Sequence, residues 1–170
     1  MLVATYFGEE EIQWTNQSEK TIGLILSILL IQIVAILGAF LAAKSSSRYG
    51  NIKTLIVINL IWGVLCLVAF FIKTPIQFYF VAAFVGLVMG ALQPLSRSTF
   101  SKFMPETVDT TSYFSFYGVT EKISIIIGMF LFGFIDQITG SMRNSILPFL
   151  FFFILGAYLL MRISKKFEIN

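Results

Sequence analysis

Residues 21–43 read TIGLILSILLIQIVAILGAFLAA, an uncharged run in which Gln32 is the single large polar side chain. A helix needs about 20 mostly apolar residues to cross the hydrocarbon core of a bilayer, so this run predicts a transmembrane helix. Three further apolar runs predict spans of their own, at residues 54–72, 75–95 and 144–161. The pattern therefore predicts an all-α, polytopic membrane protein.

A fifth span is predicted between the third and the last of these. The apolar run at residues 123–135 is short for a crossing, but an extension back to residue 112 gives a full one. The extension draws Glu121 and Lys122 into the span. It is needed because the basic residues fall on alternating sides of the membrane only if the chain crosses it here. The sequence thus predicts five spans, including residues 112–135, in a single transmembrane domain of residues 1–170.

The composition limits both the environment and the chemistry of the chain. Of its 170 residues 57% are hydrophobic and 12% are charged, whereas about 25% are charged in a typical soluble domain. Histidine is absent and Cys66 is the one cysteine, which excludes a disulfide within the chain, a Cys/His metal site and a Ser-His-Asp triad. We therefore predict no metal, no cofactor and no enzyme activity. The net charge of +3 is too small to indicate a nucleic-acid partner.

The distribution of lysine and arginine predicts the orientation in the membrane. If the N-terminus lies outside, three basic residues fall on the outer side, and nine fall on the inner side: Lys44, Arg48, Lys53, Arg97, Lys102, Lys122, Arg162, Lys165 and Lys166. Basic residues are concentrated in cytoplasmic loops. The C-terminus, with residues 162–170 as a tail, is therefore predicted to be cytoplasmic.

The loop after the first span, residues 43–53, reads AKSSSRYGNIK. It resembles the cytoplasmic signature of the major facilitator superfamily. In that signature a glycine and an aspartate come first, and basic residues with a second glycine follow. Arg48, Gly50 and Lys53 fit this signature, while Ala43 and Ser47 replace the glycine and the aspartate. Small residues permit a tight turn between packed helices, and basic residues anchor the cytoplasmic face.

A second set of motifs lies further along the chain. A Leu-Ser-Arg-Ser run at residues 95–98, a proline, an aromatic Phe-x-Phe-Tyr run and a Thr-Gly-Ser-x-Arg run at residues 139–143 follow in this order. The residues that carry the pattern are Ser96, Arg97, Ser98, Pro105, Phe114, Phe116, Gly140 and Arg143. Their order and spacing resemble the second half of the "unknown major facilitator" family, which includes the autophagy-related vacuolar amino-acid effluxers.

The resemblance implies that the chain is one half of a transporter of twelve helices. Residues 1–8 would then be the outer end of helix 7, a truncated sixth helix of this half, and the five spans would be helices 8–12. It implies secondary active efflux by alternating access, with solute bound near the midplane between two six-helix halves. The implied partners are the lipid bilayer, a missing N-terminal half and a small-molecule solute, with amino acids and H+ as candidates.

Four polar side chains are candidates for a solute or proton pathway: Gln32, Gln93, Tyr117 and Glu121. An ionisable residue inside a span is costly and commonly marks such a pathway. Each residue also has a structural interpretation. Glu121 would lie at the interface and pair with Lys122 or with the cytoplasmic loop, and Tyr117 suits the inner interface. Gln32 would bond a neighbouring helix, and Gln93 would satisfy a carbonyl freed by Pro94.

Two further contacts and a short surface helix are predicted. Arg97 could pair with Glu106 or Asp109, meet the opposite half as a gate, or anchor the interface. Gly86 and Gly90, four residues apart, predict close helix packing. Residues 100–104 are amphipathic and predict a short helix on the inner membrane surface.

A second functional hypothesis is a free-standing five-span scaffold or accessory subunit without transport activity. A transporter half should leave an incomplete bundle face, whereas a scaffold should bury its polar groups among its own five helices. No GxxxxGK[ST] loop is present, so direct ATP drive is unsupported. We expect the protein in the cell membrane rather than the vacuolar membrane.

Overall fold

The computed structural model describes residues 2–106 and 109–167, and in these ranges it contains six helices and no strand. The helices are α1 (Leu2–Glu10), α2 (Gln17–Tyr49), α3 (Asn51–Phe71), α4 (Pro75–Phe103), α5 (Thr110–Thr139) and α6 (Met142–Phe167). Helices α2 to α6 are long and apolar enough to cross a membrane. The predicted all-α fold with five membrane helices is confirmed. Met1 and residues 168–170 of the predicted tail lie outside the described ranges.

The helices are longer than the predicted apolar runs. They begin and end at capping residues that lie outside those runs. The α2 helix begins after Asn16 and ends before Gly50. Thr74 precedes α4 and caps it, because its side chain and that of Gln77 each bond the other residue's backbone amide. Residues 100–103 continue α4 as its last turn. The separate surface helix predicted at residues 100–104 is therefore wrong, because helical periodicity alone does not say whether a helix has been interrupted.

Helices α2 and α4 pack with their backbones in direct contact. A Cβ atom at Gly86 would lie 2.5 Å from the carbonyl oxygen of Ile31, and one at Gly90 would overlap the carbonyl of Ala35. Gly38 makes the same kind of approach from the α2 side. The close packing predicted from the spacing of Gly86 and Gly90 is confirmed.

Helix α3 joins the rest of the bundle, because it packs against both α4 and α6. It contributes to two apolar clusters. One lies toward the end of the bundle that holds Arg143 (the Arg143 end) and contains Phe7, Ile12, Cys66, Ile72, Phe78, Phe132 and Ile146. The other lies toward the opposite end, which holds Arg97 (the Arg97 end), and contains Ala42, Leu55, Ile58, Leu65, Val88, Ala91 and Leu95.

Helix α5 lies at the margin of the bundle. It packs along α6, where Phe132 stacks on Phe149 with ring centroids 6.1 Å apart. Phe132 is the one buried residue of this 30-residue helix. The bundle is therefore open around α5, and a wide apolar surface remains uncovered there.

Candidate functional site

An ion pair joins α4 to α5 at the Arg97 end. Arg97 Nη2 lies 3.0 Å from Glu121 Oε2. The side chain of Arg97 is 60% exposed and that of Glu121 is 33% exposed. Sequence reasoning had offered Glu106 or Asp109 as partners of Arg97, but its partner is a carboxylate of the next span.

Three aromatic rings pack together beside this ion pair. The ring centroid of Phe100 lies 5.0 Å from that of Tyr117 and 5.8 Å from that of Phe114. Tyr117 also lies close enough to the Arg97 guanidinium to interact with its charge. Together these five side chains form a contact that we call the clasp: Arg97, Phe100, Phe114, Tyr117 and Glu121.

The distance of Glu121 from the end of α5 can be compared with the thickness of a membrane core. Glu121 precedes the end of α5 at Thr139 by 18 residues (139 minus 121), and each helical residue rises 1.5 Å, so the two are about 27 Å apart. The apolar core of a bilayer is about 30 Å thick. If Thr139 is placed at one interface, Glu121 would lie close to the other one, where a charged pair would have access to water.

The two candidate glutamines are exposed. Gln93 lies one turn before Arg97 on the same face of α4, and Gln32 lies on α2 away from the α4 contact. Within the described residues neither amide has a hydrogen-bond partner, so Gln93 does not satisfy a carbonyl freed by Pro94. The structure thus brings Gln93 near the clasp but leaves Gln32 apart from it.

The α2–α3 turn consists of one residue, Gly50. Its φ of 87° and ψ of 154° are accessible essentially to glycine alone. The Gly50 amide donates to the carbonyl of Ser46, and the Thr54 hydroxyl donates to the carbonyl of Gly50. Arg48 lies over the ring of Tyr49, and Lys53 is exposed. The glycine of the signature is therefore required by backbone geometry.

Asn51 fastens this turn to the end of α4. Its amide nitrogen donates to Thr99 Oγ1 at 3.2 Å, and its amide oxygen accepts from Lys102 Nζ at 3.0 Å. Sequence reasoning missed Asn51. The signal available was an asparagine directly after the turn glycine, but its partners lie 48 and 51 residues further on.

The Thr-Gly-Ser-x-Arg run forms the α5–α6 turn. Gly140 ends α5 in the left-handed conformation, with φ 61°, and its amide donates to the carbonyl of Asp136. Arg143 Nε lies 2.6 Å from Glu11 Oε2, and its other nitrogens donate to the carbonyls of Phe70 and Glu11. This arginine connects the segment after α1, the end of α3 and the start of α6.

The remaining motif residues do not form a common site. Ser96 is half-buried, while Ser98, Pro105 and Phe116 are exposed. Of the aromatic motif, Phe114 belongs to the clasp. The motif is thus divided among the clasp, the α5–α6 turn and exposed positions.

An apolar cavity of about 260 Å³ opens between α1, α3, α4 and α6. Its lining includes Val3 and Phe7 of α1, Trp62 and Cys66 of α3, and Phe149 of α6. The indole nitrogen of Trp62 is buried and has no partner within the described residues. In the same part of the chain, no three His, Cys, Asp or Glu side chains are grouped so that they could hold a metal.

Comparison with known proteins gives a consistent result. The family model described as "Vacuole effluxer Atg22 like" matches residues 1–167. The chain is 28% identical, over 84% of its length, to "Uncharacterized MFS-type transporter YxiO" of Bacillus subtilis, of which it covers 33%. It is 34% identical, over 89% of its length, to "Autophagy-related protein 22" of Saccharomyces cerevisiae, of which it covers 29%. The chain therefore spans about a third of the length of these relatives. No solved structure matches.

Proposed function

Because the chain belongs to the Atg22-like vacuole effluxer family, a transporter-type family, we propose that it forms one half of a secondary transporter that exports a small-molecule solute. In this proposal an N-terminal six-helix half, on the same polypeptide or a separate one, completes the protein. The two halves expose a site near the midplane to each side in turn. Amino acids are the proposed cargo and H+ is the proposed coupling ion, following the resemblance of the motifs.

The open bundle is the observation that carries this proposal. Helix α5 buries one residue, and the amides of Gln32 and Gln93 are exposed. A polar group in hydrocarbon must find a partner or lie against a water-filled cavity. A free-standing scaffold would bury such groups among its own helices. The exposed amides therefore support a missing partner half over the scaffold hypothesis.

The apolar cavity supports the same arrangement. Val3 and Phe7 of α1 form part of its wall, so a helix of the completed transporter that packs beside α1 would cover the opening. An apolar helix suits the lining, and one of its carbonyls could accept from the indole nitrogen of Trp62, which has no partner within the described ranges. A buried donor that lacks an acceptor is destabilising, so the completed protein should supply one.

We assign the pathway to the region around Gln93, Tyr117 and Glu121. Tyr117 and Glu121 belong to the clasp on α5, and Gln93 lies one turn before Arg97 on α4. A carboxylate at the membrane boundary can exchange a proton with water and can interact with a cationic group of the solute. Gln32 would line the pathway from α2 once the partner half is present.

We further propose that the Arg97 end faces the cytoplasm and that the protein lies in the cell membrane. The excess of basic residues at the Arg97 end supports this orientation. With the N-terminus of the chain outside, α6 then leads to a cytoplasmic C-terminus. Export would therefore run from the Arg97 end to the Arg143 end.

The first experiment is to measure the size of the native polypeptide with an antibody against residues 165–170. A band at more than twice 19.2 kDa would place both halves in one polypeptide. A band at 19.2 kDa would require a separate partner half, which co-purification with the antibody should recover. Recovery of a 19.2 kDa protein with no second membrane protein would contradict the transporter-half proposal.

The second experiment measures efflux of a labelled amino-acid mixture from preloaded cells that contain the complete transporter. We expect Glu121→Gln to lower efflux at least tenfold, because it removes the ionisable group without changing size. Lys122→Gln is the matched control, since it removes a charge at the same depth from an exposed position. Unchanged efflux and pH dependence for Glu121→Gln would remove Glu121 from the pathway.

A further inference from the structure

One face of α2 carries a continuous row of exposed side chains. Residues three and four positions apart lie on the same face of a helix, and this row, which we call the α2 stripe, consists of Ile33, Leu37, Phe40, Lys44 and Arg48. Its three apolar side chains are between 59% and 69% exposed. The buried Gly38 and Ala42 lie on the other side of the helix, toward α4. The stripe is therefore uncovered from the middle of α2 to its end.

The change from apolar to basic side chains along the stripe can be compared with the thickness of a bilayer. The uncharged residues 21–43 form a helical segment about 35 Å long, since each residue rises 1.5 Å. The apolar core of a bilayer is about 30 Å thick. If Thr21 is placed at one boundary of the core, Phe40 would lie inside it and Lys44 just beyond the other boundary. The stripe would then present apolar groups to acyl chains and two cations to the lipid headgroups.

The charges of Lys44 and Arg48 are not balanced by a carboxylate. Aspartate and glutamate are absent from residues 21–105, and within the described ranges neither side chain forms an ion pair. Arg97, by contrast, is paired with Glu121. Like charges four residues apart on a helix repel each other. An anion placed between Lys44 and Arg48 would therefore stabilise the end of α2.

A phosphate ester with an apolar tail matches both parts of the stripe. Lysine and arginine form charge-assisted hydrogen bonds with phosphate oxygens. The guanidinium carbon of Arg48 lies 5.4 Å from the centroid of the exposed Tyr49 ring, and tyrosine is enriched at the depth of the headgroups. The apolar side chains of the stripe continue from these cations toward the middle of α2. This combination is the chemistry of a phospholipid rather than of a free anion.

We propose that the α2 stripe binds an anionic phospholipid. The lipid phosphate bridges Lys44 and Arg48, and one acyl chain lies along Phe40, Leu37 and Ile33. The bound lipid offsets the repulsion between the two cations at the end of α2. This binding requires only that α2 spans a membrane, so it goes beyond the proposed transport function and does not depend on it.

The lipid and the proposed solute pathway use different sides of α2. Gln32 is followed directly by Ile33, and successive helical residues are about 100° apart around the axis. A lipid on the stripe therefore leaves the Gln32 side of the helix open to the partner half. Anionic lipids are concentrated in the cytoplasmic leaflet, which agrees with the proposed orientation of the Arg97 end.

Lipid binding to the complete protein in detergent tests the proposal. Native mass spectrometry measures the affinity for phosphatidylglycerol and for phosphatidylcholine with the same acyl chains. We expect phosphatidylglycerol to bind at least tenfold more tightly. Each basic residue near an anionic lipid surface strengthens binding about fivefold, so Lys44→Gln combined with Arg48→Gln should weaken phosphatidylglycerol binding at least tenfold. Equal affinities of the unmodified protein for the two lipids would overturn the proposal.

The matched control removes two charges elsewhere at the same end. Lys122→Gln combined with Arg162→Gln changes exposed residues of α5 and α6 and alters the net charge by the same amount. This variant should bind phosphatidylglycerol within about twofold of the unmodified protein. If both double variants weaken binding equally, the lipid responds to overall charge, and the stripe is not its site.

The apolar part of the stripe is tested separately. Phe40→Ala should weaken phosphatidylglycerol binding about threefold, whereas Phe71→Ala, a similarly exposed change at the Arg143 end, should leave it unchanged. Glycerol phosphate carries the phosphate without acyl chains, so it should not displace the lipid. Displacement by glycerol phosphate, or equal effects of the two phenylalanine variants, would show that the site takes the anion alone and would contradict a lipid site.

A spin label identifies what covers the stripe in the membrane. In a Cys66→Ala background, Phe40→Cys carries the label in the complete protein within vesicles of phosphatidylglycerol and phosphatidylcholine. Oxygen is concentrated among acyl chains, so a label that contacts lipid should collide with it frequently. Infrequent collisions would show that a helix of the partner half covers the stripe, and this would overturn the proposal.

Discussion

The guanidinium of Arg143 and the carboxylate of Glu11 lie 2.6 Å apart, although 132 residues separate them in the sequence. The same arginine reaches the carbonyls of Phe70 and Glu11. One side chain therefore fastens three segments at the Arg143 end, and this explains why the Thr-Gly-Ser-x-Arg run ends in arginine. Lysine lacks the planar fork that makes these bonds simultaneously.

Replacing Arg143 should destabilise the bundle. Arg143→Ala leaves the partly buried Glu11 carboxylate without its partner, at a cost of about 2 kcal/mol in the free energy of unfolding. Thermal unfolding in detergent, followed by tryptophan fluorescence, measures this. Arg143→Lys should recover part of the loss, and Arg162→Ala, an exposed change on the same helix, should cost less than about 0.5 kcal/mol. Equal stability of Arg143→Ala and Arg162→Ala would show that the ion pair contributes nothing.

Adding one methyl group at Gly90 should separate α2 from α4. The Cβ of Gly90→Ala would overlap the backbone of Ala35, which cannot yield as a flexible side chain does, so we expect a loss of about 1–3 kcal/mol. Gly118→Ala is the matched control, because nothing lies within 4 Å of its new Cβ. That variant should gain about 0.5–1 kcal/mol from helix propensity. The idea fails if both variants shift the unfolding temperature in the same direction.

The two glycines with positive φ should respond differently to asparagine. Gly50 has a backbone conformation that asparagine does not adopt, so Gly50→Asn and Gly50→Ala should each cost about 1–3 kcal/mol. Gly140 lies in the left-handed helical region, which asparagine tolerates, so Gly140→Asn should be more stable than Gly140→Ala. The unfolding temperatures of the four variants test the two conformations. Equal costs for Asn and Ala at Gly140 would argue against the left-handed cap.

The start of α5 should depend on pH through Asp109. Hydrogen bonds from Ser112 to its carboxylate lower the pKa of Asp109 from its ordinary value of 3.8. The cap is therefore fully effective above pH 3.8 and is lost as the pH falls through the lowered pKa of the folded state. Amide exchange at Ser112, corrected for its intrinsic rate, should show protection decreasing over that interval. Asp109→Asn keeps an acceptor without a titrating group, so its protection should not change with pH.

Local sequence was sufficient for the membrane architecture. Lipid offers no hydrogen bonds to the backbone, so each apolar run of sufficient length must form a helix. Four spans follow from that requirement, and the fifth follows from the alternation of the basic residues between two sides. The tight turn at Gly50 and the close packing at Gly86 and Gly90 also follow from local rules, because a positive φ and a close backbone approach both favour glycine. The family resemblance lies in these same local patterns.

The partners of the polar side chains were decided by the tertiary structure. Arg97 has three carboxylates within 24 residues after it, at Glu106, Asp109 and Glu121, and helix packing selects the furthest one. Nothing in the local sequence distinguishes Glu11 from the adjacent Glu9 and Glu10, or identifies Arg143 as its partner. Side-chain pairing across helices depends on rotation, tilt and spacing, which local periodicity does not specify. The apolar runs and the alternation of basic residues therefore determined the number of membrane helices, whereas helix packing decided which charged side chains pair.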